Sequence, residues 1–167
     1  MALNGLYPTS DFAEDQPMPH FILTTHVVHR TLPFGAFISS VIPLSSRFIF
    51  RRAAAQTLPV STMLLRSNST GFFVSGIIGL GITFGRMMGR DDIEWQDRSW
   101  RLLRNSGQTQ LDDFSASGMA LGAIVGTVQR GSLPLWRGFA GGAGLGSLAG
   151  TIAFVTWKMS SSKKEGK

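Results

Sequence analysis

Apolar residues along the chain are gathered into four runs that polar segments separate. The runs cover residues 32–50, 71–88, 114–129 and 138–157. The last run holds twenty residues, GFAGGAGLGSLAGTIAFVTW, and none of them carries a formal charge. A helix rises about 1.5 Å per residue, so this run is long enough to cross the roughly 30 Å hydrocarbon core of a bilayer. The pattern predicts an all-α membrane protein with three to four transmembrane helices.

Glycine recurs at every fourth position in the last two runs, which places it along one side of each predicted helix. The predicted packing residues are Gly118, Gly122, Gly126, Gly138, Gly142, Gly146 and Gly150. Lipid offers little hydrophobic force between helices, so their association depends on close backbone contact, which glycine permits. The short link between the runs predicts a tight C-terminal helical hairpin with its small faces together.

The run 71–88 carries two lines of small residues on different sides of its predicted helix. One line is Gly71, Ser75 and Gly79, and the other is Gly81, Gly85 and Gly89. Two smooth sides predict two neighbouring helices.

Two segments near the start of the predicted bundle, residues 31–157, are harder to assign. Pro43 interrupts the first run, which therefore either crosses the membrane bent or lies partly in the interface. Residues 53–70 fit a short amphipathic helix that ends at residues 67–69.

Polar segments are predicted to flank the bundle. Residues 1–30 form an extended arm, which either lies on a partner or is disordered. Residues 91–105 form a surface helix, because Asp97 and Arg101 are an acid–base pair at helical spacing, as are Glu94 and Arg98. Residues 158–167 form a basic, solvated tail.

Charge and composition agree with a membrane location. Charged residues make up 16% of the chain, whereas about a quarter is usual in soluble domains. The net charge is +6, and arginines border the apolar runs, which favours lipid over nucleic acid. The predicted contacts to phospholipid head groups, cardiolipin among them, are Arg47, Arg51, Arg52, Arg130 and Arg137.

No catalytic, cofactor-binding or metal-binding group is predicted. The chain has no cysteine, and His26 and His29 lack further ligands nearby, so they are expected to lie at the membrane interface. Asp112 and Asp113 are expected to cap a helix start. The two glycine-rich runs contain no ionisable residue, which disfavours a pump. A channel lined by glycine and serine remains an alternative. Residues 142–146 match part of a dinucleotide fingerprint, but no strand precedes them.

The overall layout resembles a known family. The chain is free of cysteine, its N-terminal segment is acidic and unlike a targeting peptide in composition, histidines precede the first apolar run, and the last two runs are expected to form a glycine-rich hairpin. From MALNGLYPTSDF to the basic tail, it resembles the NUXM family of fungal accessory subunits of mitochondrial respiratory complex I.

The resemblance implies a non-catalytic accessory subunit of NADH:ubiquinone oxidoreductase, multi-pass in the mitochondrial inner membrane. It would stabilise the membrane arm and its assembly by contacting other membrane-embedded subunits, with no cofactor, nucleic acid or small-molecule substrate. The stretch GGAGLGSLAG is also similar to the Tim17/22/23 type, which implies a translocase or channel component as the alternative.

Overall fold

The computed structural model describes residues 7–50 and 58–165, with side chains up to residue 161. These residues form five α-helices, a short 3-10 turn at Ala13–Asp15 and no strand. The helices are α1 (Pro19–Phe48), α2 (Val60–Met87), α3 (Asp92–Arg104), α4 (Ser106–Val128) and α5 (Leu135–Glu165). The predicted all-α fold is confirmed.

Three helices are long and apolar enough to span a membrane, which indicates a membrane protein. They are α1, α2 and the part of α5 from Leu135 to Ser161. The helix α4 is not among them, although it pairs with α5 in the predicted hairpin. Among the described helices, three of the predicted three to four therefore have the length and composition of a membrane span.

The first membrane helix is much longer than the predicted span 32–50. It begins at Pro19, where a proline suits the first helical turn, so the predicted extended arm of residues 1–30 ends at Met18. It also continues through Pro43 to Phe48, so this proline does not end the helix. Proline is tolerated in membrane helices because neighbouring groups satisfy the freed backbone carbonyls.

The second helix also begins earlier than the predicted span 71–88 and passes through residues 67–69, where a break was expected. Asn68 Nδ2 donates to the carbonyl of Leu64 at 3.0 Å, and Ser69 Oγ donates to the carbonyl of Arg66 at 2.8 Å. Both side chains donate to carbonyls of their own helix, so they do not interrupt it. The predicted break is therefore wrong.

A side-chain cap explains where α4 begins. The helix α3 lies within the predicted range 91–105, and Asn105 then accepts a hydrogen bond from Gln108 N at 3.1 Å. This N-cap starts α4 eight residues before the predicted span 114–129. The helix α5 outlasts the predicted span 138–157, so residues 158–165 of the predicted tail are helical.

The helices pack as two hairpins that share one face. Gly35 of α1 lies beside Ser75 of α2, and these two helices are antiparallel. The helices α4 and α5 form the second hairpin. The opposite side of α5 lies on α2, where Gly141 approaches the backbone of Leu65 and Gly144 approaches Asn68, so these two helices run in the same direction.

Candidate functional site

The contact between α4 and α5 is made by backbone on backbone. It contains seven glycines, here called the glycine interface: Gly118, Gly122, Gly126, Gly138, Gly142, Gly146 and Gly150. A Cβ atom added to any of the seven would lie less than 3.0 Å from a backbone carbonyl oxygen of the opposite helix. Real Cβ atoms do not approach that closely, so every position in this interface requires glycine.

The other helix contacts use small polar residues as well as glycine. A Cβ on Gly71 would meet Ser39, and a Cβ on Gly79 would meet Val28, so one line of small residues on α2 is covered by α1. Thr31 Oγ1 of α1 donates to the carbonyl of Ser75 at 2.7 Å. Hydroxyls that bond to backbone across such contacts fix the helices without a bulky side chain.

The second small line on α2 is uncovered. A Cβ added to Gly81 or Gly85 would have no heavy atom within 4 Å among the described residues. Ile77 and Phe84 stand beside this line with 70% and 68% of their surfaces exposed. Gly89 does not extend the line, because it follows the end of the helix with φ of +75°. This smooth side of α2 therefore has no neighbour in the part of the chain that the structure describes.

A cluster of charged side chains joins α1 to α4. Asp112 Oδ2 lies 2.7 Å from His26 Nδ1, and Asp112 Oδ1 lies 2.9 Å from Arg30 Nε. Arg30 also donates through Nη2 to the side chain and the carbonyl of Gln108. The Asp112 side chain is only 13% exposed, so its charge is held by these two partners.

This cluster corrects the predicted role of the two aspartates. Asp112 and Asp113 lie inside α4, whose N-cap is Asn105, and therefore do not cap the helix start. Sequence reasoning missed the role of Asp112 because its partners lie more than 80 residues away in the chain. The available signal was the four-residue spacing of His26 and Arg30, which places both on one helix face.

A small cavity lies beside the cluster. Its volume is about 150 Å³, and Tyr7, His29 and Met119 are among its lining residues. His29 Nε2 is buried there without a hydrogen-bond partner among the described residues. No group of three or more His, Asp or Glu side chains within the described ranges could hold a metal ion. The cluster acts chemically as a link between helices, in which one carboxylate neutralises a guanidinium and orients an imidazole.

The arginines predicted to contact lipid lie at helix ends. Arg47 donates to the carbonyl of Leu58 and stands 5.8 Å from the ring centre of Phe48, so it also closes the α1–α2 connection. Arg137 stands 4.9 Å from the ring centre of Trp136. Arg130 is partly buried at the turn between α4 and α5. Arg51 and Arg52 lie outside the described residues.

The N-terminal arm, residues 7–18, packs on the surface helix of its own chain. Trp100 Nε1 donates to the carbonyl of Ser10 at 3.2 Å, and Gln96 Nε2 donates to the carbonyl of Glu14 at 2.7 Å. Gln16 of the arm is only 1% exposed. The part of the arm that the structure describes is therefore held against α3 of its own chain.

The surface helix carries one of its two predicted ion pairs. Arg101 Nε lies 2.9 Å from Asp97 Oδ1. Glu94 instead pairs with Arg90, at 3.2 Å, and not with Arg98.

Comparison with known proteins identifies one match. The chain matches a family described as proteins of unknown function, DUF1757, over residues 4–155. A search of curated proteins finds no match.

Proposed function

We propose that this chain, which belongs to the DUF1757 family of unknown function, is a non-catalytic accessory subunit of a large membrane complex. The complex we propose is mitochondrial NADH:ubiquinone oxidoreductase, in the inner membrane, because the layout of the chain resembles the NUXM accessory subunits. Its role there is to stabilise the membrane arm and the assembly of that arm by helix packing.

The observation that carries this proposal is the uncovered small line on α2. The glycine interface and the α1–α2 contact are both closed by neighbouring backbone or small side chains within the chain. The line formed by Gly81 and Gly85 also consists of glycine, and no residue that the structure describes lies against it. In lipid, small residues are enriched on the helix sides where another helix packs, because they let the two backbones approach closely. A helix of another subunit is the partner this surface fits.

The alternative function is a translocase or channel component of the Tim17/22/23 type. A channel of that kind would be lined by glycine and serine, the residues of the C-terminal hairpin. Those glycines face carbonyl oxygens of the opposite helix at van der Waals contact, which leaves no water path between α4 and α5. The packing therefore favours the accessory role.

The test replaces the uncovered line with bulky side chains. In cells that carry only the Gly81→Leu/Gly85→Leu variant, we expect the purified chain to keep its helical content and thermal transition in detergent. We also expect its loss from the complex on native gels, with a lower amount of assembled complex I. The matched control is Gly76→Leu, which adds the same side chain elsewhere on α2 where nothing lies within 4 Å.

Three results would reject the proposal. One is wild-type chain that comigrates with a complex other than complex I, identified by mass spectrometry of the band. Another is deletion of the chain with no effect on the assembly or activity of complex I. The third is conductance or precursor uptake by liposomes that contain the purified chain, which would support the translocase alternative.

A further inference from the structure

A second surface, adjacent to the uncovered small line, has a different chemistry. A groove of about 610 Å³ runs between α1 and α2 and is bounded at one end by α3. Its walls are apolar and include Phe34 and Ile38 of α1 and Ile78 and Ile82 of α2. At one end it is lined by the two arginines Arg86 and Arg98.

Counting residues along the helices places the cationic end of this groove at one edge of a membrane. The charge-free part of α5 lies between Arg137 and Lys158, which are about 31 Å apart along the helix, close to the thickness of a hydrocarbon core. The helices α2 and α5 run in the same direction with Leu65 beside Gly141. Ile82 follows Leu65 by as many residues as Lys158 follows Gly141, so Ile82 lies at the depth of Lys158.

Arg86 lies one helical turn beyond Ile82, or about 6 Å further from the membrane centre. That is the depth of the lipid phosphates, just outside the hydrocarbon core. The apolar walls below it lie within the core, at the depth of acyl chains. The groove therefore offers apolar surface and positive charge at the depths where a phospholipid carries its chains and its phosphate.

The charges at this end are not neutralised by any residue that the structure describes. Neither Arg86 nor Arg98 forms an ion pair with any residue that the structure describes. No aspartate or glutamate lines the groove in the described part of the chain. Arg30, which also lines it, is already paired with Asp112. Two guanidinium groups without an ion-pair partner among the described residues, at the mouth of an apolar groove, suit an anion that is joined to an apolar chain.

We propose that this groove is a binding site for one anionic glycerophospholipid. Its phosphate contacts Arg86 and Arg98, whose guanidinium groups suit phosphate oxygens. One acyl chain lies along Ile82, Ile78 and Phe34. The site is separate from the arginines that the sequence indicates as lipid contacts. It requires that the chain resides in a membrane, but it does not require the accessory-subunit role.

The test measures lipids that stay bound to the whole purified chain. Wild-type chain is reconstituted in nanodiscs that contain equal amounts of phosphatidylglycerol and phosphatidylcholine. The protein is then released from the nanodiscs, and its mass with any bound lipid is measured by native mass spectrometry. We expect one retained phosphatidylglycerol. Because a basic residue near anionic lipid contributes about a fivefold gain in affinity, Arg86→Gln/Arg98→Gln should weaken retention about thirtyfold. The Ile82→Trp variant, which fills the groove without changing charge, should also lose the lipid.

The matched control is Arg90→Gln/Arg101→Gln. These two arginines lie on or next to α3 but are already paired with Glu94 and Asp97, so the control should retain the lipid as wild type does. The site is wrong if phosphatidylcholine is retained equally, or if the control loses as much lipid as the Arg86→Gln/Arg98→Gln variant. Displacement of the lipid by millimolar glycerol 3-phosphate would show a phosphate site without a lipid groove. Protection of the groove by a copurifying protein helix in place of lipid would also overturn it.

Discussion

The glycine interface and the His26–Asp112–Arg30 cluster hold α4 in two opposite ways. The glycine interface joins α4 to α5 by omitting side chains, and its contacts are spread along the helices. The cluster joins α4 to α1 by burying charge, and its contacts converge on one carboxylate. The first depends on shape at many positions. The charged cluster depends on the presence of each of its three side chains.

This difference determines how each region responds to change. A bulky residue in the glycine interface must push two backbones apart, because the atoms that it meets are carbonyl groups that cannot rotate away. A neutral residue in the cluster keeps the shape but leaves a buried charge without its partner. The four predictions below test the comparison, from the largest expected effect to the smallest.

Gly142→Leu should have the largest effect. Its new side chain would enter the space occupied by Gly122 O and the Cα of Gly126. We expect the free energy of unfolding in mixed micelles, measured by steric trapping, to fall by about 3 kcal/mol. A fluorophore pair on α4 and α5 should report a longer distance between the helices.

The control for the glycine interface is Gly76→Leu, for which nothing lies within 4 Å. Its free energy of unfolding should change by less than about 0.5 kcal/mol. Gly144→Ala provides a second control on the same helix as Gly142, since its Cβ would stand 3.5 Å from Asn68 O, an ordinary contact. Equal stability of Gly142→Leu and Gly76→Leu would show that close approach of α4 and α5 is not needed.

Asp112→Asn should have the next largest effect. The amide keeps the shape of the carboxylate but leaves Arg30 without a counter-charge, in a cluster whose side chains are 13–25% exposed. We expect a loss of about 2 kcal/mol in the free energy of unfolding. The measurement is the same steric-trapping titration.

A matched ion pair on the surface gives the contrast. Asp97→Asn breaks the pair with Arg101, whose side chain is 72% exposed, and should cost less than about 0.5 kcal/mol. A double-mutant cycle of Asp112→Asn with Arg30→Gln should show a coupling energy of opposite sign to the single losses. Purely additive losses would mean that the ion pair does not stabilise the contact between α1 and α4.

The same difference explains what could be predicted from the sequence. The glycines of the interface recur every four residues on both helices, and this spacing places them all on the contacting sides. The hairpin could therefore be predicted from the pattern alone. The cluster has no such repeat. His26 and Arg30 contact Asp112 only because α4 packs beside α1, and that approach depends on how the other helices pack.

The predicted starts of α1 and α2 were wrong for a related reason. Residues 19–30 and 60–70 are more polar than the apolar runs and therefore fall outside the predicted spans, but several of their polar side chains find partners inside the fold. Asn68, for example, donates to Ser40 Oγ at 3.0 Å as well as to its own helix. Local composition does not reveal such partners, so the predicted spans begin about three to four turns after the true starts of α1 and α2.

Asn68→Ala tests that explanation and should have a smaller effect. Asn68 is fully buried and links α2 to α1, but its Oδ1 has no partner among the described residues. Since the side chain makes only part of its hydrogen bonds, we expect a loss of about 1 kcal/mol in the free energy of unfolding. Ser40→Ala should cost less, because Asn68 keeps its bond to Leu64 O. A loss above about 3 kcal/mol for Asn68→Ala would show that the polar link is the main contact between these helices.

Trp100→Phe should have the smallest effect, and only on the arm. Phenylalanine keeps an aromatic ring beside Arg104, which stands 4.3 Å from the ring centre of Trp100, but it cannot donate to Ser10 O. The loss of one partly exposed hydrogen bond is worth about 0.5 kcal/mol, so the open arm should become about twice as populated. The rate of Glu-C cleavage after Glu14 reports that population, because cleavage requires the arm to leave α3. Trp136→Phe, at the turn between α4 and α5, should leave the rate unchanged. Equal cleavage of wild type and Trp100→Phe would mean that the arm is held by its apolar contacts and not by this hydrogen bond.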